Sequence, residues 1–212
     1  MTQSETALRD HIVLIGKSLY DRGYGVGSSG NLSVRVDDGI LITPTNTSLG
    51  RLDAGRIAKV APDGSHVSGD KPSKEGFLHL AVYARRPEMR AVVHLHSTYS
   101  VALSTLAAAD PENMLPPITA YFVMRVGTLP LVPYYPPGDR GLADAVGAAM
   151  AGAHAVLLAN HGSVVAGKSL DEAHYAAEEL EETAKLWFLL RGETTRFLDI
   201  GQVAELRARF QS

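Results

Sequence analysis

Leu8, Ile12, Ile15 and Leu19 recur at helical spacing ahead of Gly23, a residue suited to ending a helix, and predict an amphipathic helix over 4–22. A glycine-rich turn follows. From Asn31 the period becomes two: Leu32, Val34 and Val36 share one face, Asp38-Gly39 makes a turn, and Ile40-Leu41-Ile42 returns as a paired strand. Residues 57–60, the Pro62-Asp63-Gly64 turn and residues 65–67 repeat the hairpin signal, so the first third of the chain is expected to be largely antiparallel. After Pro72-Ser73, Leu78, Ala81 and Val82 fall on one stripe of a helix over 74–86; 90–96 then reads as buried strand and 98–108 as a small-residue helix. Prolines at 111, 116, 117, 130, 133, 136 and 137 mark a loop with short strands around 120–126 and 131–135. Helices are predicted over 139–151 and 169–191 with an apolar strand at 155–159 between them, and Glu181 and Lys185 are expected on the exposed face of the longer helix at i,i+4. Strands mixed with helices around one core predict an α/β fold, a three-layer α/β/α sandwich with a central mainly antiparallel or mixed sheet.

A length of 212 residues, 45% hydrophobic and 20% charged, supports a sizeable core, and with no linker, repeat or charge block the whole of 1–212 reads as a single domain. The net charge of −3 supplies no basic field for polyphosphate, which argues against nucleic-acid binding. Without cysteine there is no disulfide, thiolate nucleophile or Cys-type zinc finger, and any metal must be held by nitrogen and oxygen. The first residues carry Arg9, Asp10, His11 and Lys17 among apolar ones and do not read as a signal peptide. No apolar run approaches the ~20 residues that cross a bilayer. No membrane partner is expected, and the cytoplasm is the simplest address.

Candidate chemistry gathers at histidines that sit at strand ends. In His94-Leu95-His96 a strand's period of two sends both imidazoles to one face. The doublet alone fits a ligand pair and a polar strand end equally well. His161-Gly162 follows directly on the predicted strand at 155–159 and adds a third imidazole where α/β sheets place their chemistry, with Gly162 allowing a tight turn that approaches a ligand. Three histidines can form a catalytic zinc shell. Glu75, at the opening of a helix, can serve such an ion as ligand or base, although on its own it fits a favourable N-terminal glutamate better. His79 lies one turn further on the same face and reads as a supporting or packing residue. The loop at 25–31 is rich in Gly and Ser and offers amides and hydroxyls to a phosphate, but lacks both P-loop order and a preceding strand. Residues 43–48 form a second hydroxyl-rich turn that fits a plain surface loop.

Taken together, Gly-x-x-Gly-Asn at 27–31, Ile-Thr-Pro-Thr at 42–45, Pro-Ser-Lys-Glu at 72–75, His-Leu-His at 94–96 and Asn-His-Gly at 160–162 resemble the class II aldolase and adducin head family over residues 5–210. Within it, Gly-Asp-Lys-Pro-Ser-Lys-Glu at 69–75, Val-Met-Arg at 123–125, Leu-Val-Pro-Tyr-Tyr at 131–135 and Glu-Glu-Leu-Glu-Glu-Thr-Ala-Lys at 178–185 are similar to the branch of 3-oxo-tetronate 4-phosphate decarboxylases. The resemblance implies one Zn2+ per subunit on His94, His96 and His161, with Glu75 as ligand and proton acceptor, in a homo-oligomer that is a tetramer by family likeness. It implies a phosphorylated sugar-acid substrate whose phosphate meets Ser28, Asn31, Thr45 and Ser73, and it aligns Tyr121 with a tyrosine contributed across an interface as an acid. Such a substrate is a β-keto acid: a cation beside its C2 hydroxyl and C3 carbonyl offsets the enediolate charge left as carbon dioxide departs, and protonation at C2 gives dihydroxyacetone phosphate. Lys74 replaces a common serine, Asn46 replaces a glycine, and no counterpart of a carboxy-terminal tyrosine is evident. These departures count against aldol cleavage and an unaltered phosphate pocket. Lys74, beside Glu75, is a candidate for holding the phosphate or orienting the carboxylate, or else a solvated lysine. An aldolase or pentulose-phosphate 4-epimerase uses the same ligands, a metallohydrolase lacks positive support, and an adducin-like interaction module is disfavoured by the intact histidines.

Overall fold

The computed structural model describes residues 4–107, 109–136 and 138–210. Pro137 and Ala108, the last residue of the helix expected over 98–108, lie outside them; the helix there spans Thr98–Ser104, with a turn after it. The predicted hairpins form as read. β1 (Asn31–Val36) pairs antiparallel with β2 (Gly39–Ile42), which pairs with β3 (Ala58–Val60), which pairs with β4 (His66–Ser68). On its other side β1 pairs with β5 (Ala91–Leu95), placing Asn31 opposite His94. With β6 (Leu131–Val132), β7 (Ala155–Leu158) and β8 (Gly162–Gly167) the sheet has eight strands in the order β4-β3-β2-β1-β5-β8-β7-β6, and only β6 and β7 run parallel.

Alternation along the central strands builds two cores. Ala91, Val93 and Leu95 of β5 join one with residues of α1 (Glu5–Asp21), α3 (Thr98–Ser104), α4 (Ala120–Arg125) and α6 (Leu170–Leu189). Val92 joins the other, under α2 (Gly76–Arg85) and α5 (Gly141–Ala149). This is the expected three-layer sandwich. Each fully buried Leu, Ile or Val contributes roughly 1.5–3 kcal/mol of transfer free energy, so the two faces tie sheet and helices together. α7 (Ile200–Phe210) rests outside, against α4. Among the described residues no helix is long and apolar enough to cross a membrane.

Three expectations are corrected. The stretch expected as strand at 120–126 is instead a helix, Ala120–Arg125, because the Thr119 side chain accepts from the Phe122 amide at 3.0 Å and caps a turn that buries Phe122 and Val123. The expected strand at 131–135 is shorter, Leu131–Val132, and ends ahead of Pro133. Glu181 is not on an exposed face: it is 7% exposed, and its carboxylate accepts from the Tyr99 amide (2.8 Å), the Ser100 amide (2.8 Å) and the Ser100 hydroxyl (2.7 Å). A negative charge at the start of α3 satisfies donors that have no partner within the helix.

Candidate metal centre

The alternation that sends Val93 and Leu95 to one face of β5 sends His94 and His96 to the other, beneath the start of α2. His94 is fully buried, and its Nδ1 donates to the Ser163 carbonyl at 2.8 Å, which turns Nε2 toward Glu75 and His96. His96 Nε2 stands 3.0 Å from His94 Nε2. His161, in the turn between β7 and β8, brings its Nε2 within 3.2 Å of Glu75 Oε1, while Glu75 Oε2 lies 3.4 Å from His94 Nε2. The three ring centroids are 4.6 to 5.0 Å apart. All four ligand atoms lie within 4.8 Å of one another, and no other such group of His, Asp or Glu occurs among the described residues.

A small divalent cation fits this set. Ligand atoms about 2.1 Å from a tetrahedral ion stand roughly 3.4 Å apart; three of the separations here are 3.0 to 3.4 Å, and none exceeds 4.8 Å. Three nitrogens and one oxygen suit a borderline ion, and the bond from His94 to Ser163 fixes that ring's orientation. Electrostatics agree. Burial pulls the Glu75 carboxyl upward, but the His94 charge and hydrogen bonds from His161, His94 and Asn31 outweigh it and hold the group far below the usual carboxylate range. Burial lowers His96 to about 3, reinforced by His94 and His161, so its ring is neutral and ready to ligate. For His94 burial acts downward too, yet the Glu75 carboxylate raises it on balance.

Gly162 owes its place to sheet packing rather than to a ligand. A Cβ there would meet the Leu95 carbonyl oxygen at 2.2 Å, so β5 and β8, which frame His96 and His161, can approach only with glycine between them. Gly162→Ala is expected to cost roughly 1–3 kcal/mol of stability and to weaken ion binding, as read by denaturant unfolding and chelator competition. Unchanged values in both would contradict this placement.

Of the other predicted residues, Asn31 and Ser73 touch Glu75, whereas Ser28, Thr45, Lys74 and Tyr121 are not among those that form the cluster or line the cavity beside it. The Thr45 amide donates to the Lys71 carbonyl at 2.9 Å and the Ser73 amide to the Thr43 carbonyl at 3.1 Å, so the loops that carry Thr45 and Ser73 are laced side by side. Asn31 is 3% exposed, with its side chain engaged between Glu75 and His79. Ser28 and Lys74 are exposed, and Lys74 forms no ion pair among the described residues. Tyr121 points outward from α4, 58% exposed, with Arg125 5.9 Å from its ring centroid. Asn46 adopts a φ of 56°, a left-handed conformation that asparagine tolerates, which explains how it replaces glycine.

A cavity of about 710 Å³ opens beside Glu75, His96 and His161 and is walled by Phe77, Tyr134 and Tyr135. Its size suits a small ligand. The tyrosines were visible in the sequence as part of a motif, but nothing in their spacing assigned them to a wall. Asn160, also at this cavity, holds a φ of 58° that turns the chain toward His161.

Residues 10–188 match the family described as Class II Aldolase and Adducin N-terminal domain, and the chain belongs to that family. Among particular relatives, it is 53% identical over 205 residues to a 3-oxo-tetronate 4-phosphate decarboxylase of Escherichia coli (strain K12), covering 96% of this chain and 97% of the relative. It is 39% identical over 181 residues to an L-fuculose phosphate aldolase of Methanocaldococcus jannaschii, covering 85% and 96% of the two chains. The crystal structure of YgbL from Escherichia coli superposes with a TM-score of 0.94 at 51% identity, covering 97% of this chain and 100% of that one.

Proposed function

We propose that this protein is a zinc-dependent carboxy-lyase that converts a 3-oxo-tetronate 4-phosphate to dihydroxyacetone phosphate and carbon dioxide. The observation that carries this reading is a complete cluster of three imidazoles and one carboxylate beside a cavity, in a chain 53% identical to a decarboxylase along its length. A divalent cation held by Glu75, His94, His96 and His161 supplies the positive charge that offsets the electron pair left on the substrate as the carboxyl group departs. The C1–C2 bond breaks, C1 leaves as carbon dioxide, and C2 takes up one proton. Glu75 is assigned to pass that proton on, accepting it first as a carboxylate, because the group shares the cluster and borders the cavity. Phe77, Tyr134 and Tyr135, which wall the cavity, are assigned to limit water around the reacting carbon.

Ser28, Asn31, Thr45 and Ser73 are assigned to the phosphate, and Tyr121 to the cleft of a neighbouring subunit in a homotetramer. We assign one domain to the whole chain. The cytoplasm is the proposed address, since a phosphorylated sugar acid carries too much charge to cross a bilayer unaided. Lys74 is assigned to the phosphate or the scissile carboxylate. Lys74→Met is therefore expected to raise KM or lower turnover about tenfold, the weight of one lost charge-assisted hydrogen bond; unchanged values of both would remove Lys74 from the site.

Aldol cleavage is the second reading, favoured by relatives at 39 and 40% identity named L-fuculose phosphate aldolase. The two are separated by supplying both C2 epimers of 3-oxo-tetronate 4-phosphate and, in parallel, L-fuculose 1-phosphate. Carbon dioxide appearing with equimolar triose phosphate supports decarboxylation. Aldehyde release from the sugar phosphate, without turnover of either acid, would overturn it.

A further inference from the structure

Behind Glu75 runs a line of buried polar side chains of which only Asn31 carries a role given above. Glu75, His79 and Tyr83 recur every four residues and face β1, where Asn31 and Ser33 alternate toward α2. Asn31, Ser33, His79 and Tyr83 are each 4% exposed or less. Their contacts form one chain: Tyr83 Oη to Ser33 Oγ at 2.7 Å, Ser33 Oγ to His79 Nδ1 at 2.6 Å, His79 Nε2 to Asn31 Oδ1 at 2.5 Å, and Asn31 Nδ2 to Glu75 Oε2 at 2.8 Å.

Only one direction of donation satisfies every member. Glu75 accepts, so Asn31 must present its amide nitrogen to Glu75 and its carbonyl to His79. His79 must then donate from Nε2 and accept at Nδ1. Ser33 donates to that Nδ1 and accepts from the phenol of Tyr83, which burial keeps protonated by pushing it far up. Reversing the order would set the Asn31 carbonyl against the Glu75 carboxylate, two acceptors at 2.8 Å, and would leave the Tyr83 hydroxyl hydrogen without its Ser33 acceptor. Burial also holds His79 to about 3, so its ring is neutral and its tautomer, not its charge, is what the chain sets. At the far end Arg35 stacks 4.8 Å over the Tyr83 ring and donates to the Tyr83 carbonyl at 2.5 Å, anchoring the phenol. Burying four polar side chains at a helix–sheet contact costs stability relative to an apolar interface unless all are paired, and here all are.

We propose that His79 is a positioning residue: acting through Asn31, with Ser33 and Tyr83 fixing its tautomer, it holds the Glu75 carboxylate in the orientation that cation binding and proton transfer both need. This rests on the role given to Glu75 above. A residue supporting a metal ligand typically changes ion affinity or activity 10- to 100-fold when lost.

The test compares His79→Leu, which removes the donor, with His79→Gln, whose Nε2 can still donate to Asn31. Zinc affinity is read by competition with a chromophoric chelator in the absence of substrate, and kcat and KM are read by carbon dioxide release. His79→Leu is expected to lose 10- to 100-fold in zinc affinity and in kcat with little change in KM, and His79→Gln to regain most of both. Tyr83→Phe, which removes the donor to Ser33 and so lets Ser33 accept from His79 Nδ1 as well as donate to it, is expected to lower kcat a few-fold. Nitrogen-15 NMR of the unsubstituted protein should show His79 protonated at Nε2 alone, a result that does not depend on any variant folding. Equal impairment of the Leu and Gln variants, wild-type values in a folded His79→Leu protein, or an Nδ1-protonated His79 would each overturn this role. If the unsubstituted protein releases no carbon dioxide while the zinc-affinity contrast persists, the reaction assignment falls and the positioning role stands.

Discussion

Glu75→Gln is expected to slow carbon dioxide release by about 10²- to 10⁴-fold, the range lost when a positioned acid–base group is removed. The two oxygens of Glu75 have different partners: Oε2 accepts from Asn31, and Oε1 faces His161 at 3.2 Å. A glutamine cannot serve both. With its nitrogen at the Oε2 place it would meet the Asn31 amide donor, so the relay turns that nitrogen toward His161 instead. There it can neither ligate nor carry a proton, and one negative charge is gone from the cluster. Turnover should therefore fall even where the ion is retained. Activity is to be measured together with metal content, because near-normal turnover at full occupancy would remove Glu75 from the chemistry.

His161→Ala is expected to weaken zinc binding by about 10²- to 10³-fold and to abolish turnover at trace metal. Structural zinc sites bind with about 10–16 kcal/mol, or roughly 3–4 kcal/mol for each of four ligands, and 1.4 kcal/mol is a factor of ten. His161 is the cleanest of the three imidazoles to remove. It sits in a turn with its side chain 26% exposed, whereas His94 is fully buried and bonded to Ser163, so its loss would damage the sheet as well. The measurement is chelator competition beside thermal unfolding. An affinity within a few-fold of the parent protein, with stability intact, would mean that His161 does not face the ion.

Much of this was legible in local pattern. The period of two at Ala91 to His96 gives both the two faces of β5 and the shared side of His94 and His96, and the helical stripe beginning at Leu8 gives α1. What stayed hidden depends on distant partners. β8 is buried on both faces, so its residues do not alternate and leave no strand signature, although it is the neighbour that positions His161 beside β5. Glu181 and Lys185 have the spacing of a surface pair, but only tertiary packing reveals that Glu181 caps α3. His79 reads from sequence as a supporting residue on the face of Glu75. What it supports appears only when β1 pairs with β5 and brings Asn31 between them. Gly162 was legible as special, for the wrong reason: the close approach is that of the Leu95 backbone.

The most direct test is to titrate zinc into metal-stripped protein while following carbon dioxide release from the two C2 epimers of 3-oxo-tetronate 4-phosphate. The predicted result is a rate that rises with added ion and levels off at one per chain, with dihydroxyacetone phosphate formed mole for mole and no response in the His161→Ala protein. A full rate in stripped protein, or fully loaded protein that turns over neither epimer, would contradict it.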